Sequence, residues 1–286
     1  TARRLLHMAK RSKTIGIVGI SSNRARTAIM NARGRSLLRR GYARLQALSI
    51  RVSQRWLIRH ADGVHVVGQG LRNLAQKDAR SLHVGTASWI SATDLRSMRP
   101  SQGDPVDIVM AARLEVMKGM SLGIEAIQKT YQAWPNLRLS VIGVGPEESR
   151  LREQVRQAGL ESITRFEGQL GYPEAFFNRL QRADYVLLTN LNDEQPRLIF
   201  DAISQGAIPV CPNNRAYTAL GLDPMLLYRQ GSAEELSNVL LKLMHVDGAG
   251  REKILAHLSE IAANHTIEAM HKHRLTWLES LQISDR

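Results

Sequence analysis

The sequence contains one cysteine and no long apolar run. Cys211 is the only cysteine among 286 residues, which excludes internal disulfides and a metal centre built from several cysteines. We expect Cys211, at the end of an apolar run, to be a buried structural thiol. The longest apolar runs fall far short of the roughly 20 residues that a membrane-spanning helix needs. We therefore predict a cytoplasmic protein, either free or peripheral at the inner face of a membrane.

Acidic residues are scarce in the first third of the chain. Residues 1–100 hold 20 Lys and Arg against 3 Asp and Glu, a net charge of +17, whereas residues 101–286 hold 19 against 23, a net charge of −4. A strongly basic segment attracts phosphates, whether of nucleic acid, of anionic lipids or of a phosphorylated acceptor. Ordinary solvated helix surfaces would explain the same composition.

Aromatic residues are also few in this basic segment. Proteins that bind single-stranded nucleic acid combine basic grooves with stacking aromatic side chains. The first hundred residues contain only Tyr42, Trp56 and Trp89. A nucleic-acid-binding protein is therefore a weaker alternative, and we expect no nucleic acid partner.

Residues 35–60 have the periodicity of a long amphipathic helix. Apolar side chains recur there at intervals of three and four residues, which is typical of a helix with one apolar face; they are Leu37, Leu38, Tyr42, Leu45, Leu48, Val52, Trp56 and Leu57. The other face is lined by Arg39, Arg40, Arg44, Arg51, Arg55 and Arg59. Such a helix could lie on an anionic membrane, but we expect its apolar face to pack on a β-sheet.

Apolar strands alternate with amphipathic helices along the chain. Strands are predicted at residues 14–20, 64–68, 84–90, 108–111, 137–142, 163–166 and 185–188, and around Val210. This alternation indicates an α/β fold with parallel, doubly wound sheets. A polar linker at residues 99–105 divides a first domain, residues 1–98, from a second, residues 99–265, and a final helix covers residues 266–286.

Residues 184–210 predict a strand, an acidic loop, a helix and another strand. Pro196 suits the first turn of the helix, because its missing N–H would have no partner there, and Gly206 ends the helix. Asp193 lies in the loop and Asp201 inside the helix, so both carboxylates can face one cleft at the carboxyl end of the strand. In open parallel sheets ligands bind at that end, where helix N-termini offer N–H groups to anions.

Two further loops carry residues suited to a diphosphate. Arg113 and Lys118 follow a predicted strand, and two cations five residues apart can grip a diphosphate from two directions. Gly143 and Gly145 follow the next strand and would allow the backbone to approach a ligand closely. Alone this glycine pair is a weak signal, because it lacks the third glycine of a dinucleotide-binding fingerprint.

The three motifs together resemble the donor site of the retaining GT-B glycosyltransferases, in the large group 1 family that includes glycogen and sucrose synthases. The family pattern is a Glu, seven residues, a second Glu and Ala, then a Gly and a Pro-Val strand. Its counterparts here are Asp193, Asp201, Ala202, Gly206, Pro209 and Val210. Both glutamates are thus replaced by aspartates, Glu194 and Gln195 stand where Gly-Phe is usual, and Ala112 stands where Gly is usual before the Arg113–Lys118 loop.

The resemblance implies a GT-B fold, in which a Rossmann-like donor domain is preceded by a second Rossmann-like domain. The first domain would here be partial and truncated, because its opening strand and helix units have no counterpart before Thr1. The final helix would pack back on that first domain.

The resemblance also implies a role for each motif. Arg113 and Lys118 would neutralise the leaving diphosphate, so that no metal or other cofactor is required. Asp193 or Glu194 would hold the sugar hydroxyls, and Asp201 would hold the ribose. The other donor-binding positions are Gly143, Gly145, Gly168, Gln169, Leu170, Pro196, Arg197 and Leu198.

We predict transfer of a sugar from a nucleotide diphosphate sugar to a hydroxyl of a glycan or lipid-linked acceptor, with retention, in glycan or cell-envelope polysaccharide synthesis. One alternative is a non-catalytic remnant that only binds the nucleotide sugar, which the two aspartates allow. The basic nucleic-acid-binding protein is the other. We also expect the basic first hundred residues to direct the protein to an anionic membrane surface through charge, without insertion.

Overall fold

The computed structural model describes residues 2–32, 36–96 and 104–283. The chain divides into two compact units. The first unit comprises Thr1–Ala87, Asn192–Gln195 and Glu268–Arg286, and the second comprises Ser88–Leu191 and Pro196–Ile267. The predicted linker at 99–105 lies largely outside the described residues. No helix in the described ranges combines the length and the apolar character needed to cross a bilayer.

Strands and helices alternate along most of the described chain. The strands are β1 (Ile17–Ile20), β2 (Gly63–Val67), β3 (Leu82–Gly85), β4 (Val106–Ala111), β5 (Leu137–Ile142), β6 (Thr164–Gly168), β7 (Tyr185–Leu187), β8 (Ile208–Pro212) and β9 (Leu227–Tyr228). The helices are α1 (Ala2–Arg11), α2 (Arg24–Asn31), α3 (Leu37–His60), α4 (Met120–Ala133), α5 (Glu148–Gln157), α6 (Glu174–Leu180), α7 (Leu198–Ser204), α8 (Arg215–Thr218), α9 (Ala233–Met244), α10 (Gly248–Ala263) and α11 (Ile267–Ile283).

The first unit contains a parallel sheet with the strand order β1-β2-β3. Val64 and Val66 of β2 are buried, and Leu6 of α1 and Ile58 of α3 pack into the same core. The strand predicted at 84–90 overlaps the observed β3 only at Val84 and Gly85 and is wrong over its remaining residues. Its last residue, Ile90, belongs to the second unit, where it is buried in that unit's core.

The C-terminal helix α11 packs on this sheet. The Trp277 ring stacks on His83 of β3, with 5.1 Å between ring centroids, and its Nε1 donates a hydrogen bond to the Ser81 hydroxyl at 2.9 Å. A side chain on Gly63 would collide with Trp277 and Leu281. Residues 268–281 are therefore an integral part of the first unit.

The expectation that α3 packs its apolar face on the sheet is wrong for most of that face. Trp56 and Leu57 do pack against the core of the first unit, but the six predicted apolar residues from Leu37 to Val52 are exposed. A helix of 24 residues is about 36 Å long, whereas strands of four or five residues extend only about 17 Å. The described sheet therefore underlies only part of the helix.

The second unit contains a six-stranded sheet with the order β6-β5-β4-β7-β8-β9, and every adjacent pair is parallel. Consecutive strands are separated by helices, and the order reverses between β4 and β7, which makes the sheet doubly wound. This confirms the predicted fold class. Its core includes Val109, Val141 and Val210 from three central strands.

The helix after β7 is shorter than predicted but ends where predicted. It begins at Leu198, two residues after Pro196, with Arg197 in the cap position. Gly206 adopts φ +81°, and the N–H groups of Gly206 and Ala207 bond the Ile203 and Ala202 carbonyls at 3.0 Å each. This is the left-handed glycine termination of a helix, and it turns the chain directly into β8.

Candidate functional site

A cleft of about 620 Å³ opens in the second unit at the carboxyl ends of β4, β5 and β7. Its walls come from the residues that follow these strands, from the segment after β6 and from the first turn of α7. Ligand sites in open α/β sheets lie at this edge, next to the point where strand order reverses. The volume is within the ordinary range for small-molecule sites.

Arg113 and Lys118 line this cleft in the loop after β4. Arg113 is largely exposed and forms an ion pair with Glu115 at 3.0 Å. Lys118 forms no ion pair within the described residues, and its backbone carbonyl accepts a hydrogen bond from the Thr189 hydroxyl at 2.8 Å. This bond joins the β4 and β7 loops, so the cationic loop has a defined position at the edge of the cleft.

Gly143 and Gly145 have a structural explanation in the contact between two loops. Gly143 adopts φ +127°, and a Cβ there would lie 1.9 Å from the Ala112 carbonyl oxygen. A Cβ on Gly145 would lie 2.4 Å from the Leu114 carbonyl oxygen. The β5 loop therefore needs both glycines to pass the β4 loop, and a role in approaching a ligand stays a prediction.

Arg197 is held between two aromatic rings at the cleft. Its guanidinium carbon lies 4.1 Å from the centre of the Trp89 ring and 4.3 Å from that of Tyr172. Its Nε also donates a hydrogen bond to Asp201 Oδ2 at 3.1 Å. The cation–π contacts and the ion pair together fix the orientation of this side chain at the N-terminus of α7.

Asp201 is a buried carboxylate on the wall of the cleft. Its residue is only 1% exposed, and burial raises its pKa to about 6, while Arg197 and the Tyr172 hydroxyl act in the opposite direction. The carboxylate is consequently ionised at neutral pH and becomes protonated in mild acid. It is already paired with Arg197 in this structure, a partner that the sequence did not reveal.

Asp193 and Glu194 lie in the first unit, where both contact the start of α2. Arg26 Nη1 forms an ion pair with Asp193 Oδ2, and the Asn23 backbone N–H donates to Glu194 Oε1 at 3.1 Å. The same loop passes close to Gly70, where a Cβ would lie 1.8 Å from the Asp193 carbonyl oxygen. The acidic loop is therefore held by residues that are far away in the sequence.

The sequence profile described as "Glycosyl transferases group 1" matches residues 92–264, more than half of the chain. The chain belongs to this family. Glycogen synthase of Mycobacterium tuberculosis is 25% identical over 167 residues, which are 55% of this chain and 39% of that protein. WcaL of Escherichia coli, named as a putative colanic acid biosynthesis glycosyltransferase, is 34% identical over 64 residues, 22% of this chain and 16% of its own. This group 1 chain thus spans less than half the length of these curated relatives.

A solved structure supports the fold of this group 1 chain over nearly its whole length. Anabaena Alr3699/HepE, crystallised with UDP and glucose, superimposes with a TM-score of 0.72 at 16% identity, covering 99% of this chain and 76% of the other. At such low identity the likeness concerns the fold alone. It agrees with the GT-B architecture that the motifs predicted.

The structure brings nine predicted site residues of this group 1 chain to one cleft. They are Arg113, Lys118, Gly143, Gln169, Leu170, Pro196, Arg197, Leu198 and Asp201. Gly145 and Gly168 are not part of the lining but support it, since the Gly143 N–H bonds the Gly168 carbonyl at 2.7 Å. Asp193 and Glu194 belong to the first unit.

The sequence did not identify several residues that contact the cleft or the acidic loop. Tyr172 lines the cleft and Trp89 stacks on Arg197, while Arg26 and Asn23 contact the acidic loop. Their only signal was residue type, because none belongs to a recognisable motif. Within the described part of the chain, no group of three or more His, Cys, Asp or Glu side chains is placed to hold a metal ion.

Proposed function

We propose that the protein transfers a sugar from a nucleotide diphosphate sugar to an acceptor hydroxyl, with retention of the anomeric configuration. The observation that carries this proposal is the cleft at the carboxyl edge of the second sheet. It gathers three cationic side chains, a buried carboxylate and two aromatic side chains around a volume of about 620 Å³. That combination suits a ligand with a diphosphate, a ribose and a base.

The diphosphate would bind at Arg113 and Lys118. Lys118 is free of ion pairs among the described residues, and Arg113 is 74% exposed in its side chain, so both can turn towards an anion. Charge grows on the diphosphate as the sugar leaves, and fixed cations at that point lower the barrier. Two cations would do here what a divalent metal does in other transferases, so the mechanism we propose requires no metal.

The nucleoside would bind between the segment after β6 and Asp201. Gln169 and Leu170 line that side of the cleft, with Tyr172 next to them. A carboxylate accepts hydrogen bonds from ribose hydroxyls, and Asp201 carries the negative charge for this at neutral pH, since its pKa is about 6. Arg197 would have to share Asp201 with the ribose or release it.

The sugar would be held by Asp193 or Glu194. The side chain of Asp193 remains 40% exposed although it is paired with Arg26, so one of its oxygens can still accept a hydrogen bond. The acceptor in this proposal is a glycan or a lipid-linked glycan, for which the colanic acid relative is the supporting comparison. Retention rests on the motif resemblance alone.

A non-catalytic nucleotide-sugar-binding protein is the second candidate. It is favoured by one observation: the two carboxylates that replace the family's glutamates are both engaged by arginines, Asp193 by Arg26 and Asp201 by Arg197. In that case the cleft would bind the donor without turnover. Incubation with donor and measurement of free nucleoside diphosphate separates the two, since only a transferase releases it.

Calorimetry with UDP, GDP and ADP tests the cleft itself. Arg113→Ala and Lys118→Ala should each weaken binding of the preferred diphosphate by about 10- to 100-fold, because a hydrogen bond to a charged group contributes about 1.5 to 3 kcal/mol. Arg138→Ala and Lys129→Ala are matched controls, since both residues carry the same charge and lie outside the cleft. Unchanged affinity in both test variants would refute the assignment.

A further inference from the structure

The exposed apolar face of α3 is a feature of the first unit that the proposed function does not use. We call it the α3 stripe; its members are Leu37, Leu38, Tyr42, Leu45, Leu48 and Val52, which are between 57% and 87% exposed. At 100° per residue they fall within one sector of about 140° on the helix. Contiguous apolar patches above a few hundred Å² mark interaction sites on soluble proteins.

The stripe is exposed because α3 is packed through its opposite side. Ala43, Ala47 and Ile58 are the buried residues of the helix, and α2 lies against it. Small side chains on the inner face let α3 approach its neighbour closely, while the long apolar side chains point away from the core. The stripe is thus a second apolar face on a helix that is already anchored.

Arginines border the stripe on both sides. On the helical wheel, Arg40, Arg44 and Arg51 follow one edge and Arg39 lies beyond the other. Arg55 and Arg59, further along α3, form ion pairs with Asp78 at 2.9 and 2.8 Å. The four bordering arginines form no ion pair within the described residues, so their charge is available to a partner.

The helix α3 itself carries arginines and no acidic residue. Asp62 is the first acidic residue of the chain, and 15 Lys and Arg precede it. A second copy of this chain, docked stripe to stripe, would set arginines against arginines, which is repulsive. An anionic bilayer has negatively charged headgroups above an apolar layer. The headgroups would attract the bordering arginines, and the apolar layer would accept the side chains of the α3 stripe.

We propose that α3 binds the interface of an anionic membrane, with the α3 stripe inserted just below the lipid phosphates and the bordering arginines among them. The proposal does not depend on the transferase assignment. It differs from the expectation that charge alone draws the protein to the membrane. Six exposed apolar side chains would add a hydrophobic contribution to the binding free energy, which salt does not screen. Binding should therefore weaken with salt without disappearing.

Flotation of the full chain with vesicles tests the proposal. The protein should float with equal parts of phosphatidylcholine and phosphatidylglycerol, and much less with phosphatidylcholine alone. Replacing both Leu38→Ser and Leu45→Ser should weaken partitioning by at least about tenfold. Leu275→Ser together with Met225→Ser is the matched control, because these residues are also exposed and lie outside α3; it should bind like the unchanged protein.

A dye at a single cysteine reports insertion directly. Cys211 is completely buried, so an environment-sensitive label should react selectively at Tyr42→Cys, in the stripe, or at the control Gln46→Cys, on exposed surface outside it. With anionic vesicles, emission should shift to the blue at position 42 and much less at position 46. Equal shifts at the two positions would overturn insertion of the stripe.

Three other outcomes would also overturn the proposal. The first is absence of binding to anionic vesicles at low salt. The second is unchanged binding of the Leu38→Ser, Leu45→Ser variant. The third is a dimer in sedimentation that the same variant converts to monomer while vesicle binding is absent, since the stripe would then be an interface between two copies of this chain.

Discussion

Replacing Arg197 with Leu should destabilise the protein, and by more at alkaline than at acidic pH. The guanidinium contacts Trp89 and Tyr172 at 4.1 and 4.3 Å from their ring centres and pairs with Asp201. The change removes two contacts that act at every pH and one that acts only while Asp201 is ionised. Comparing two pH values therefore separates the two kinds of interaction.

The expected loss in the free energy of unfolding depends on how exposed the interacting side chains are. Two cation–π contacts at a partly exposed site contribute about 0.5 to 1 kcal/mol each, or about 1 to 2 kcal/mol together. Removing one partner of a fully buried ion pair costs about 3 to 5 kcal/mol. Here the Asp201 side chain is 1% exposed but that of Arg197 is 31% exposed. We therefore expect loss of the ion pair to cost about 1 to 3 kcal/mol.

The direction with pH follows from the raised pKa of Asp201. Its folded-state pKa of about 6 lies above the ordinary value of 3.8, so the folded protein binds the proton more tightly, and Asp201 lowers stability as pH rises from about 4 to 6. Loss of Arg197 raises this pKa further, because Arg197 lowers it in the unchanged protein. The variant therefore continues to lose stability above pH 6, where the loss from Asp201 in the unchanged protein is complete.

Urea unfolding at about pH 5 and about pH 8 measures the difference. The variant should lose about 1 to 2 kcal/mol near pH 5, where Asp201 is mostly protonated, and about 2 to 5 kcal/mol near pH 8. In an Asp201→Asn background, Arg197→Leu should cost the same at both pH values. Comparing proteins at one pH cancels every other titrating group. An equal loss at both pH values in the single variant would refute the ion-pair reasoning.

Three further predictions concern the site and the core. Asp201→Asn should weaken binding of the nucleoside, whereas Asp193→Asn should mainly weaken binding of the sugar portion; calorimetry with a nucleoside diphosphate and its sugar conjugate decides, and equal losses for both ligands would contradict the split. Gly143→Ala should cost more than about 3 kcal/mol in urea unfolding, because its Cβ would lie 1.9 Å from the Ala112 carbonyl oxygen; a smaller loss means that the loops can separate. Burial lowers the pKa of His65 to about 4, so its contribution to stability should be complete above about pH 6.5 and be lost towards pH 4; His65→Leu should remove this dependence, and an unchanged pH profile in that variant would contradict it.

The fold of the second unit could be predicted because its signals are local. Runs such as Tyr185–Leu187 are continuous apolar strands, and the helices between the strands carry their own periodicity and glycine stops. Burial of such a strand on both faces needs no knowledge of its partner. The same holds for Arg113 and Lys118, whose position after a strand places them at the ligand edge of any parallel sheet.

Contacts between distant residues could not be predicted in this way. Arg26 and Asp193 form an ion pair although 167 positions separate them in the chain, and nothing in either local pattern points to the other. Arg197 and Trp89 likewise meet only when strands and loops from separate stretches are assembled. Pairing of this kind depends on the three-dimensional path of the backbone, which local periodicity does not contain.

The α3 stripe shows the same difference between what the sequence determines and what the tertiary structure determines. Spacing of apolar residues determines that residues 37–60 form an amphipathic helix, because 3.6 residues per turn brings them to one side. It does not determine what covers that side. In the tertiary structure, α3 uses Ala43 and Ala47 for close packing and leaves Leu38 and Leu45 in solvent, since burial is a property of the neighbours that a helix has and not of its own sequence.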